Sequence, residues 1–214
     1  MSLRRVAARG ALIFAGVICV ASCTGSLLRS GRAPAVEYEL SARGGARGPR
    51  IAADLKVLTP LVRAGLDTDW IAASYPDGRL SHFSGSRWSA PLDETIEQLA
   101  VQEFRARSGL RNVVPAASVM RSRYRLEIEV LAFQARYPSG GGVPTVEAHF
   151  VARLGEVGKR VPLVRIDARV MRPARANRMS AIVAAFEAAA DAALDRIVAA
   201  TDHGLAATLT PRTG

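Results

Sequence analysis

YRLEIEV (Tyr124–Val130), VEAHFVARL (Val146–Leu154) and VRIDARV (Val164–Val170) decide the fold. In the first, Tyr124, Leu126, Ile128 and Val130 alternate with Arg125, Glu127 and Glu129. In the second, Val146, Ala148, Phe150, Ala152 and Leu154 alternate with Glu147, His149 and Arg153. In the third, Val164, Ile166, Ala168 and Val170 alternate with Arg165, Asp167 and Arg169. A period of two puts each apolar set on one face of a strand. The links between these stretches are short and polar: Ser139-Gly140-Gly141-Gly142, then Gly155 to Arg160. Such links join neighbouring antiparallel strands, so the three form a meander with one wet face.

The pattern changes on either side. Leu92, Ile96, Leu99, Ala100 and Phe104 recur at helical spacing, which predicts a helix over 92–108. Pro91 stands at its entry, Asp93 near its N-cap, and Gly109 where a C-terminal left-handed residue is usual. Glu94 and Glu97 in its early turns, with Arg105 and Arg107 in its last, suit the helix dipole. After the meander, Met179, Ile182, Val183, Phe186, Ala190, Ala193, Leu194 and Ile197 form a second apolar stripe. It predicts a helix over 178–203 that ends at Gly204, with 204–214 a disordered tail. Before the first helix, Ile51, Ala53, Leu55 and Val57 make another half-buried strand, and Val36–Leu40 a short one. Trp70–Tyr75 and Arg79–Phe83 flank Pro76-Asp77-Gly78, in which Pro presets φ and Gly accepts a positive φ. They form a hairpin. The expected fold class is α+β: an antiparallel sheet with two amphipathic helices on one face, a two-layer sandwich.

The N-terminus carries a different message. Arg4, Arg5 and Arg9 precede the apolar run Gly10–Val20, which is too short to cross a bilayer core of about 30 Å. The run ends in Val20-Ala21-Ser22-Cys23, the pattern of a bacterial lipobox. Residues 1–22 are read as a lipoprotein signal peptide. Cys23 is the lipidation site, 23–35 a flexible tether, and 36–203 the folded domain. The only other cysteine, Cys19, lies inside the signal, so no thiol remains for a disulfide or a nucleophile.

The chain has a formal charge of +10, three units of which belong to the signal. The basic residues are dispersed and nearly all arginine, with only Lys56 and Lys159 as lysines. Base composition explains that bias, and nucleic acid is not an expected partner of a secreted lipoprotein. Weak attraction to anionic headgroups is compatible with it.

Catalytic constellations are not found in the sequence. His82, His149 and His203 have no ligand partners at metal spacing, so no metal and no cofactor are expected. Asp67 and Asp69 suit turn and cap chemistry. The triple glycine has neither the lysine nor the strand-to-helix context of a phosphate loop. The reading is therefore a non-enzyme. One cluster, Gly65 to Pro91, is richer than scaffold requires and holds both tryptophans. Within it Trp88, Arg87 and Trp70 are candidates for core or partner contact. Trp88 can staple the following helix or serve an interface.

In order, the chain shows a lipobox, Tyr38-Glu39-Leu40, Leu66-Asp67 with Ile71-Ala72, a hairpin, Arg87-Trp88-Ser89-Ala90-Pro91 heading a helix, long alternating strands, and an Ala-rich helix. This order resembles the ABC-type transport auxiliary lipoproteins, the PqiC-like family. Ala90 stands where that family often has a second proline. The resemblance implies an accessory role without catalysis. The implied partners are an Mce (MlaD-like) domain protein and its ABC permease and ATPase, which move phospholipids or other hydrophobic molecules across the periplasm. It also implies ring-like homo-oligomers as a possibility and an anchor in the outer membrane. Thr24, rather than Asp, after the cysteine agrees with outer-membrane sorting. The alternative is a structural or assembly lipoprotein of another envelope machine, such as a lipopolysaccharide-translocon plug or a secretion pilot.

Overall fold

The three alternating stretches lie side by side in the computed structural model, which describes residues 34–210. In chain order the strands before the first helix are β1 (Val36–Tyr38), β2 (Ile51–Val57), β3 (Leu61–Val62), β4 (Trp70–Ser74) and β5 (Leu80–Trp88). Helix α1 (Leu92–Arg107) follows, then β6 (Leu110–Val114), β7 (Tyr124–Arg136), β8 (Thr145–Glu156), β9 (Val164–Pro173) and helix α2 (Met179–Leu209). All nine strands belong to one sheet.

Strands β7, β8 and β9 are the antiparallel meander. Leu126 faces Leu154, Val130 faces Phe150, and Phe150 faces Ala168. These side chains share one buried cluster with Ile96, Leu99 and Phe104 of α1 and Ile182, Phe186 and Leu194 of α2. Helix α2 packs on β8 and β9, and α1 packs on α2 and β6. The molecule is an α+β fold with a mostly antiparallel sheet, as the periodicities predict.

The other edge of β7 adds something the periodicities do not contain. Three short strands pair with it in succession, all parallel. Leu55–Val57 lies beside Tyr124–Leu126, Leu61–Val62 beside Glu129–Val130, and Ala73–Ser74 beside Ala135–Arg136. Beyond them β6 joins β2 in parallel, β5 joins β4 as the expected hairpin, and β1 joins β5 in parallel. Gly78 takes the positive φ that the turn requires.

Within β7 the register shifts between Val130 and Ala132. This bulge is structurally decisive. Strict alternation from Val130 would turn Phe133 outward. The extra residue instead pairs Phe133 with Ala148 and brings its ring into the core.

Two helix ends differ from the sequence reading. Helix α1 stops at Arg107 with Ser108 extended at φ −74°, and no left-handed glycine follows. Gly109 is small for another reason. A Cβ there would meet the Pro49 carbonyl oxygen at 1.5 Å, because the segment 48–51 crosses the helix end. Its Gly48 N–H caps the orphaned Arg107 carbonyl at 2.7 Å, and the Ile51 N–H bonds Gly109 O at 2.8 Å. The expectation that Gly204 ends the last helix is also corrected, since α2 continues to Leu209. Gly204 lies where a Cβ would come within 2.2 Å of Val164 Cγ2, so it marks the close approach of α2 to β9. Leu205 behind it is fully buried, which holds the extra turns down. Of the proposed tail, 204–209 is therefore helical.

Candidate functional site

The three aromatic and arginine candidates separate in space. Trp88 is 2 % exposed and sits at the end of β5, where its edge meets the Phe186 ring at 5.2 Å and 83°. Phe133 lies 5.8 Å from Trp88 and 4.8 Å from Phe186, so the three rings join β5, β7 and α2. Arg87 and Trp70 are register partners on the opposite face. The Arg87 guanidinium bonds Glu37 of β1 and, at 3.4 Å, Asp69 ahead of β4. The Glu37 bond, more than any other influence, raises the arginine's pKa from its usual value. Trp70 is 41 % exposed. Cys23 lies outside the described residues.

The histidines stay apart. His149 pairs with Asp167 at 2.8 Å, His82 sits opposite Ala72 in the hairpin, and His203 is exposed on α2. Among the described residues no group of three or more His, Cys, Asp or Glu is placed to hold a metal ion.

A wide groove is one the sequence reading did not identify. It lies on the outer face of the sheet, away from the helices, and encloses about 860 Å³. Its floor is the C-terminal half of β7 with the facing parts of β8 and β9, and its wall is the β4–β5 hairpin tip with the segment before β4. The register shift of β7 at Leu131 falls within this floor.

Glu147 organises the floor. It is 4 % exposed, although it stands on the wet side of β8. An unpaired carboxylate there would be costly, and two guanidiniums pair it. Arg136 Nη1 donates to Oε2 at 3.0 Å, while Arg169 Nε and Nη2 approach Oε1 at 2.7 and 2.6 Å. Arg63 faces the same groove from the segment after β3 and makes no ion pair with any described residue. Two guanidiniums thus hold one carboxylate, and a third arginine lines the same groove. The wall is softer. Tyr75 and Tyr137 stack with centroids 5.3 Å apart and planes 7° from parallel. Arg79 lies 4.5 Å over the Tyr75 ring, and the Tyr137 hydroxyl donates to Asn177 at 2.8 Å. Burial chiefly raises the Tyr137 phenol above its usual pKa. Leu80 and Leu131 complete an apolar side, backed by the buried Leu66. The arrangement combines positive charge with apolar surface at one opening.

A second polar cluster is structural. Glu103 is fully buried between α1 and α2. Arg107 Nε donates to it at 2.7 Å and also pairs with Asp191 and, at 2.9 Å, with Asp195. Burial raises the Glu103 pKa, and Arg107 opposes that shift. The loop before β2 closes over this cluster through the Arg43 N–H, which donates to Glu103 Oε1 at 3.3 Å.

Little in the sequence announces the groove. Its residues come from 63–80 and 131–169, and only the fold brings those stretches together. Tyr75 lay within the aromatic cluster already singled out. Glu147, His149 and Arg169 looked like ordinary polar alternation. A local signal did exist at Leu131-Ala132-Phe133, where the alternation of β7 breaks.

No curated protein matches the chain. A crystal structure of a protein from Xanthomonas campestris superposes with a TM-score of 0.74 at 23 % identity, over 81 % of this chain and 98 % of that one. A crystal structure of an uncharacterized protein gives 0.60 at 16 % identity, over 78 % of this chain and 98 % of that one. At these identities the likeness is one of fold. The model of the ABC-type transport auxiliary lipoprotein component matches residues 38–198, from β1 into α2. The chain belongs to the ABC-type transport auxiliary lipoprotein family.

Proposed function

We propose that the protein is a lipid-anchored accessory subunit of an Mce-type ABC transport system, held at the periplasmic face of the outer membrane. There it helps move phospholipids or other hydrophobic molecules between membranes. The observation that carries this reading is the family match over 38–198, which makes the chain an auxiliary lipoprotein of ABC-type transport. Val20-Ala21-Ser22-Cys23 supports anchoring through Cys23, and Thr24 supports the outer membrane over the inner. The anchor has a physical logic. One acyl chain holds a membrane marginally, whereas two or more hold it stably. The segment 23–35 then gives the domain reach toward a partner. The groove and the exposed Trp70–Arg87 row are the surfaces such a partner or cargo can use.

In-cell cross-linking of the full chain, followed by identification of the captured protein, tests this. Capture of an Mce-domain protein is the expected result, and capture of a different envelope machine alone overturns it. Cys23→Ala checks the anchor: the precursor should remain unprocessed and the mature form should vanish from the outer-membrane fraction. Normal processing of that variant would remove the lipoprotein assignment at Cys23.

A further inference from the structure

We infer that the outer-face groove is a binding site for an acidic amphiphile, a phosphate-type anion carried on alkyl chain. Arg136, Arg169 and Arg63 would take the head, and the Leu80–Leu131 side the chain. The inference rests on the transport reading above and deepens it by assigning the domain its own ligand class.

The first support is Glu147. A carboxylate this buried on the wet side of a strand does little for folding that an apolar residue could not do. Its effect is to fix two guanidiniums at one end of the groove. Arginine has five N–H donors in a planar fork. Glu147 uses one from Arg136 and two from Arg169, so donors of both remain for a further acceptor. Forks held in this way suit the tetrahedral oxygens of a phosphate. The second support is charge. Arg63 adds a third cation across the groove with no carboxylate of its own. The site therefore favours a head of net negative charge over a zwitterionic one.

The third support is the rest of the lining. A free anion would occupy only the arginine end. The leucine side, with the stacked Tyr75 and Tyr137, would remain uncovered. An alkyl chain covers it and gains with each methylene removed from water. The volume of about 860 Å³ falls within the roughly 300–1,000 Å³ of small-molecule sites, enough for a head and part of a chain.

Photolabelling of the purified full chain in non-ionic detergent tests the inference, with a phosphatidylglycerol analogue bearing a diazirine on its acyl chain. Adducts should map to 75–80 and 131–137. Dioctanoyl phosphatidylglycerol should compete at least about tenfold better than dioctanoyl phosphatidylcholine, and better than inorganic phosphate. Arg63→Ala combined with Arg169→Gln should cut labelling about tenfold, the loss of roughly one charge-assisted contact. Arg63→Ala alone, which breaks no ion pair, keeps the test valid if the double variant misfolds, and it should also reduce labelling. Adducts spread over the surface overturn the site. Equal competition by phosphatidylcholine overturns the acidic head, and equal competition by inorganic phosphate overturns the amphiphile. Labelling needs no transporter, so its failure and a failure to capture an Mce-domain partner are separate results.

Discussion

On the helix side of β7–β9, Phe150 faces Val130 and Ala168 and is sealed beneath Phe133, Phe186 and Trp88. On the other side, one residue away, His149 is held by Asp167 at the rim of an open groove. The same strands build both faces, and the alternation of side chains separates their duties. The inner face gains about 25 cal/mol for each Å² of apolar surface it hides, and it depends on shape. The outer face relies on ion pairs, most of them partly exposed, and such pairs contribute little to folding. Its charges are therefore free to serve recognition.

That contrast can be broken by substitution. Trp88→Ala removes the ring that joins β5 to α2 and should cost about 3–5 kcal/mol in urea unfolding. A loss below about 1 kcal/mol would mean that the inner face is not the source of stability. Arg107→Met tests the one place where the inner side depends on charge. It leaves Glu103 buried without a counter-ion and should cost about 3 kcal/mol at neutral pH. Adding Glu103→Gln should return part of that loss, and no recovery would contradict the assigned pairing.

Asp202 is a milder case. Its carboxyl lies at the crossing of 48–51 over the α1 end and accepts the Gly109 N–H at 3.0 Å, while its Oδ1 has no partner. Burial raises its pKa from 3.8. The folded state therefore holds the proton more tightly than the unfolded chain. The stability this supplies is full below pH 3.8 and is lost as pH rises through the elevated value. Asp202→Asn keeps an acceptor for Gly109 and removes the charge. It should raise stability by about 1 kcal/mol at pH 7 and change little at pH 3.5, measured as unfolding midpoints across that range. The smallest effect belongs to the outer face. Arg63→Ala should leave the thermal midpoint unmoved while lowering lipid labelling, which is the contrast reduced to one residue.

The legibility of the fold follows the same division. Strands β7, β8 and β9 and both helices are readable because each completes its period within a few residues of its neighbour. Leu126 meets Leu154 through a single turn. The parallel strands are not readable, because β3 has two residues and its partner Glu129–Val130 lies some seventy positions along the chain. Gly109 and Gly204 carry correct local signals for helix ends. Tertiary contact, with Pro49 in one case and Val164 in the other, gives them different work. The groove was the least legible. Glu147 looks like any outward acid until Arg136 and Arg169 close on it. Trp88 was legible as a residue of weight, and the Phe133 and Phe186 rings that surround it emerge only from the bulge and from the packing of α2.

The edge of β7 that receives β2, β3 and β4 also dictates an order of events. From Tyr124 to Leu209 the chain can pair and pack with near neighbours, which is the quick kind of assembly. In the first half only the β4–β5 hairpin has that option. Among the described residues β3 pairs with β7 alone, and β2 finds its partners in β6 and β7. Synthesis runs from the N-terminus, so β2, β3 and the β4–β5 hairpin are made before the β7 edge that joins them. A chain cut before Tyr124 would therefore lack the edge on which β2, β3 and β4 assemble into one sheet.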